Sequence, residues 1–258
     1  MCATPTNILT LGTNRALYQG ELPATGWHRH ASPVLLIGLS GRFALHLPPN
    51  GVGAGGAKGS VQTCHSALVD TGVEHVFDPC GEQVATMYLE PDSPEARSLR
   101  PHFAALGGVI FDPAVAVQAR SSMDTYLRSF DLSSLLQLDC PAFAPLDSRV
   151  ARSLLALRQV GDSSGMAVGR DAAAAAAHLS ASRFNHLFRA EMGVSFRSYR
   201  VWSQVRAAMI ALGANPTLTR AALDAGFVDS SHFSRMFRQT FGMTPSSVLK
   251  PLREIVRV

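Results

Sequence analysis

The sequence predicts an α+β chain of two parts: short strands folded as a barrel or jelly roll, then an all-α region built on a repeated pair of helices. Three observations predict it. Five short apolar runs between Thr25 and Glu90 are separated by turn signals such as Ser40-Gly41 and Asp78-Pro79, the pattern of hairpin-linked strands. The stretch LSASRFNHLFRAEMGVSFRSY (Leu179 to Tyr199) recurs 49 residues later as VDSSHFSRMFRQTFGMTPSSV. Charge is also divided: residues 147–258 hold 15 Arg and Lys against 7 Asp and Glu, whereas residues 1–146 hold 8 against 12.

A length of 258 residues suits two domains of ordinary size, placed at 1–145 and 146–258, and gives ample chain for two cores. Apolar residues make up 47% and charged residues 16%, which excludes a disordered chain. No run of 18 apolar residues exists, and MCATPTNILTLGTNR lacks a charged n-region before an apolar segment. The expectation is a cytoplasmic protein with no membrane partner. Cys2, Cys64, Cys80 and Cys140 fall in no C-x-x-C or paired spacing, so no disulfide framework is expected in a reducing compartment.

The predicted strands are Val34–Leu39, Phe43–Leu47, Ser66–Asp70, Glu74–Phe77 and Val84–Leu89. Many short strands joined by hairpins argue a barrel or jelly roll. PPNGVGAGGAKGS (Pro48 to Ser60) invites comparison with a phosphate loop, but Lys58 precedes Gly59 and the strand-like SVQTC follows. A phosphate loop needs Gly-Lys-Ser/Thr opening a helix, so a hairpin loop is expected instead. From Ser93 to about Asp139 the apolar spacing lengthens to three and four (Leu99, Phe103, Leu106, then Val117, Met123, Tyr126, Leu127, Phe130), which predicts helices packed on the strands. DCPAFAPLD (Asp139 to Asp147), with two prolines, reads as the interdomain link.

The second part opens with a helix over Arg149–Gln159, broken by the Gly161-to-Gly165 cluster, and continues with Arg170–Ala177, rich in alanine, the best helix former. Farther on, Phe233, Met236, Phe237, Thr240 and Phe241 form one apolar stripe, with Asp229 or Ser230 as N-cap. Ser230, Ser231, Ser234, Arg235 and Arg238 occupy the opposite face. Short hydroxyls beside Arg let a helix approach base edges, and Arg can take guanine in a bidentate fashion. Gly242 ends this helix and Thr244-Pro245 starts another. Two copies are too few for a solenoid, which needs about three or more units, so paired helix-turn-helix units are expected. Their basic surroundings, nearly all Arg, suit phosphate.

The run Gly226 to Pro245, GFVDSSHFSRMFRQTFGMTP, resembles the signature of the AraC/XylS family of transcription regulators. That resemblance implies seven helices forming two helix-turn-helix units, joined by a long helix placed here at Phe196–Leu212, with the second helix of each unit in a major groove. Carried over by position, Ser182, Asn185 and His186 of the first unit and Ser230, Ser231, Ser234 and Arg235 of the second face bases, while Arg189 and Arg238 hold phosphate. His178 stands where the family often places a turn glycine, as Gly226 does in the second unit. The implied function is a regulator, an activator as most relatives are. Its partners would be double-stranded promoter DNA, a small effector, RNA polymerase and a second copy of the chain through the helices of the first part.

The order His28-x-His30, then Ser40-Gly41-Arg42, then Val69 to His75 is similar to the cupin-type sensor domain of that family. Cupin metal sites use two histidines one residue apart, an acid soon after, and a third histidine from a later strand. His28, His30 and His75 supply the imidazoles, but positions 33 to 36 are Pro, Val, Leu and Leu. With the acid missing, an organic effector lined by His28, His30, Val34, Leu36, Phe43 and His75 is expected, and no cofactor. The alternatives are a metal- or thiol-redox-sensing regulator using the three histidines with Cys64 and Cys80, or a metal-dependent cupin enzyme with a DNA-binding tail. No other acid/base pair or nucleophile constellation supports an enzyme.

Overall fold

The computed structural model describes residues 7–49, 59–113, 145–164, 169–214 and 217–257, the stretch 158–164 by backbone alone. Its contacts divide the chain into Met1–Phe143 with Phe241–Val258, and Ala144–Thr240. The apolar spacing from Val117 to Phe130, with the dimer contact expected of it, lies outside the described residues. So do most of the link beginning at Asp139, residues 50–58 of the hairpin loop, Cys2 and Cys140.

The first unit is a two-sheet jelly roll whose described strands do not close into one barrel. A seven-stranded sheet is built from β1 (Asn7–Leu11), β2 (Arg15–Glu21), β3 (Val34–Gly38), β6 (Ser66–Val69), β8 (Gln83–Leu89), β9 (Val109–Phe111) and β10 (Leu252–Arg257), in the order β10-β1-β2-β8-β3-β6-β9. A three-stranded sheet runs β5 (Ser60–Cys64), β4 (Phe43–Leu47), β7 (Val76–Asp78). β3 reads VLLIG without alternation because it is buried on both faces. Val34 and Leu36 pack toward Phe43, Leu45 and Phe77, in a cluster drawing on both sheets. Leu35 and Ile37 pack with Leu99 and Phe103 of the segment that forms α1 (Pro94–Ser98) and α2 (Arg100–Leu106).

Five of these strands lie outside the expected set: β1, β2, β5 and β9 as well as β10, which pairs in parallel with β1, Ile8 opposite Glu254 and Leu11 opposite Arg257. That pairing joins the two ends of the chain in one sheet.

Seven helices follow among the described residues: α3 (Ser148–Ser164), α4 (Arg170–Ala176), α5 (Ala181–Met192), α6 (Phe196–Leu212), α7 (Leu218–Asp224), α8 (Ser230–Phe241) and α9 (Pro245–Leu249). α3 passes through Gly161, where the sequence predicted a break; an interior glycine costs a helix only about 1 kcal/mol and does not forbid it. α6 has the expected bounds and buries Tyr199, Trp202, Val205 and Met209, which recur at helical spacing.

Candidate nucleic-acid interface and histidine site

Two helix-turn-helix units are built alike from the residues upward. In the first helices, Ala173 and Ala174 of α4 and Ala221 and Ala222 of α7 are all buried, a spacing of 48 at which only small side chains allow close approach. Each turn then takes a left-handed residue, His178 at φ 54° and Gly226 at φ 83°. The same hydrogen bonds close both: His178 N–H to Ala175 O and Leu179 N–H to Ala174 O, Gly226 N–H to Leu223 O and Phe227 N–H to Ala222 O. The spacing becomes 49 in the second helices because the second turn holds one more residue, Val228, which is 76% exposed.

Both second helices start on a side-chain cap. Ser180 accepts from Arg183 N–H at α5, and Asp229 Oδ1 accepts from His232 N–H at 2.6 Å at α8. Phe184 and Phe188 of α5, like Phe233 and Phe237 of α8, are buried and stack on neighbouring rings: Phe184 and Phe188 on Phe196, Phe233 on Phe227. α5 ends on Gly193 at φ 75°, and Gly242 at φ 69° follows α8.

This packing fixes which side chains remain outside. Ser182, Asn185, His186 and Arg189 are exposed on α5, and Ser231, Arg235 and Arg238 on α8. Ser230 and Ser234 are half-buried, and the Ser234 hydroxyl donates to Ser230 O at 2.8 Å, leaving its oxygen as an acceptor only. A groove of about 740 Å³ runs along α5, lined by Asn185, His186 and Arg189 together with Arg170, Arg197 and Arg200. The last three were not singled out from the sequence. They lie on α4 and α6, and only the fold brings them beside Arg189 of α5. Arg200 Nε is buried with no hydrogen-bond partner among the described residues.

In the first unit, residues 27 to 30 alternate. Trp27 is 53% exposed and Arg29 forms an exposed ion pair with Glu74, whereas His28, His30 and His75 are buried. A two-residue bridge, His28 N–H to His75 O and His75 N–H to His28 O, fixes the two backbones opposite one another. The three rings lie 4.4 to 5.1 Å apart between centroids, with one ligating nitrogen from each all within 4.8 Å of one another. His28 Nδ1 meets Gly26 O at 2.9 Å and His75 Nδ1 meets Val73 O at 3.0 Å. Carbonyls only accept, so these Nδ1 atoms carry the protons and each Nε2 keeps its lone pair. His30 Nε2 and His75 Nε2 are buried with no partner among the described residues.

Burial pushes all three imidazoles below the usual range, His30 well below it and His75 to about 3, with the neighbouring histidines adding to the effect on His30 and His75. All three are neutral at pH 7. Phe241 and Tyr88 cover His30, and Gly242 lies against His28, where a Cβ would come 2.7 Å from Nδ1.

Residues 173–251 match the model of a helix-turn-helix domain family. The chain is 30% identical to the arabinose operon regulatory protein of Salmonella typhimurium over 167 residues, 62% of this chain and 56% of that one. These matches make the chain similar to regulators of the AraC/XylS family.

The Escherichia coli arabinose operon regulatory protein is 29% identical over 167 residues, 62% of this chain and 54% of its own length. The chain thus spans little more than half the length of the curated relatives it matches. ToxT of Vibrio cholerae shares its fold. An apo ToxT structure has a TM-score of 0.60 at 12% identity, covering 93% of this chain and 97% of ToxT, and a second has 0.58, covering 92% and 97%.

Of the effector residues expected from the sequence, the histidines come together, whereas Val34, Leu36 and Phe43 lie in the apolar cluster with Leu45 and Phe77. Cys64 is buried in that same cluster and Cys80 is exposed. Among the described residues neither belongs to the histidine group, and none of the described helices is long and apolar enough to cross a membrane.

Proposed function

We propose that this chain is a sequence-specific regulator of transcription that reads double-stranded DNA with α5 and α8, and that its first unit senses a small ligand. The observation that carries the reading is the duplication. Two helices, each started on a side-chain cap, with matching buried phenylalanines and a left-handed entry turn, present Ser, Asn, His and Arg outward in the basic half of the chain. A single such helix is an ordinary amphipathic helix, whereas two copies of a docking geometry suit the repeating major groove. A groove rich in Arg beside α5 suits a phosphate backbone.

Relatives named for control of an operon support regulation, and a ToxT structure holds an unsaturated fatty acid, which supports a sensing role for the first unit. On this reading the protein works in the cytoplasm beside RNA polymerase and is not an enzyme. Incubating the full chain with a pool of random duplexes and sequencing what it retains tests this. One recurring sequence is expected; retention without enrichment, or none at low salt, would overturn it.

A further inference from the structure

We propose that His28, His30 and His75 form a carboxylate-free binding site for a divalent late transition ion such as zinc, and that the ion leaves its fourth position to an exogenous anion. The geometry supplies the first half. Three imidazoles from two chain segments converge with their ligating nitrogens within 4.8 Å of one another. Two nitrogens on one tetrahedral zinc ion, each at about 2.0–2.1 Å, lie about 3.3–3.4 Å apart, so the ligand atoms need draw together by at most about 1.5 Å. The carbonyls of Gly26 and Val73 hold the Nδ1 protons of His28 and His75. This outer-shell arrangement fixes the tautomer and frees Nε2 for a metal.

Burial makes the bland alternative expensive. As core residues, His30 and His75 each leave Nε2 buried and unpartnered among the described residues, an uncompensated desolvation; an apolar side chain would fill the same space without that cost. An ion removes both penalties at once. Neutral imidazoles suit zinc, copper, iron and nickel, whereas magnesium and calcium require oxygen ligands.

The second half follows from charge. Among the described residues no fourth His, Cys, Asp or Glu joins the group, so three neutral ligands hold a dication against the rings of Tyr88 and Phe241. Buried charge is costly without a counter-charge, and a three-ligand site keeps an open position. An anionic oxygen or nitrogen ligand fills that position and compensates the charge. A small carboxylate ligand of the sensing unit would anchor there; that last step alone rests on the regulator reading, while metal and anion binding do not.

Co(II) is the probe, because its visible absorption reports coordination. The full chain, in a Cys80→Ser background to remove an exposed thiol, is freed of metal and titrated with Co(II) under equilibrium dialysis. One ion per chain is expected, with an intense tetrahedral visible band, no thiolate charge-transfer band, and displacement by stoichiometric Zn(II). His75→Ala should weaken binding by more than the roughly 10–100-fold that losing an outer-shell partner costs. Azide or acetate should then shift the visible band saturably. Absence of a stoichiometric ion in the unmutated histidine set overturns the metal site, and this readout needs no folded variant. A bound ion whose spectrum ignores added anions overturns the open position. Selection from random duplexes is scored separately, so failure of the DNA reading and failure of this site give different results.

Discussion

His178 and Gly226 occupy the same place in the two helix-turn-helix turns, and both adopt left-handed backbone, at φ 54° and 83°. A side chain there costs about 1–2 kcal/mol relative to glycine. His178→Gly should therefore stabilise the second unit by about 1 kcal/mol, and Gly226→Ala should destabilise it by about 1–2 kcal/mol. The chain has two tryptophans, so in a Trp27→Phe background the buried Trp202 reports this unit in denaturant melts. Equal midpoints for all three proteins would contradict the equivalence of the two turns.

Arg235→Ala and Arg238→Ala should differ in kind although the residues lie three apart on α8. Arg235 lies on the face assigned to bases, and its loss should cost about 1–3 kcal/mol and relax preference at one base pair. Arg238 is assigned to phosphate, and its loss should weaken all duplexes alike. Affinities for the selected duplex and its single-base variants separate them, and superimposable specificity profiles would sink the assignment.

Arg189 and Arg197 line one groove on the α5 side of the second unit. If both neutralise phosphates, each alanine variant should lower the slope of log affinity against log salt by about 0.9, and the double variant by about 1.8, with sequence preference unchanged. An unchanged slope would place the groove off the DNA.

Gly242 should tolerate neither Ala nor Asn. Its φ of 69° alone would admit Asn, but any Cβ would collide with Gly26 O and come 2.7 Å from His28 Nδ1. Both variants should lower the melting temperature, Asn about as much as Ala; rescue by Asn would show that only the backbone conformation matters.

Much of this was legible in the sequence because the signals are local. The stripe from Phe233 to Phe241, the glycine after it and the Thr244-Pro245 start each lie within one or two helical turns. The 49-residue repeat doubled that evidence. His28 and His30 read as a pair because alternate strand residues share a face. What stayed hidden depends on distant partners. β10 has no strand signal until β1 is placed beside it, and Arg170, Arg197 and Arg200 are unremarkable until three segments converge on one groove. Gly242 read only as a helix stop, since its close approach to His28 crosses more than two hundred residues of sequence.

Chemical footprinting of the full chain on its selected duplex tests the central claim most directly, because two reading heads must leave two marks. Two protected major-groove segments are predicted, centred about 10–10.5 base pairs apart on one face of the duplex. Alanine changes at Asn185 and His186 should erase one segment, and changes at Ser231 and Arg235 the other. A single protected segment, or protection that moves freely along unrelated sequences, would contradict reading by two helices.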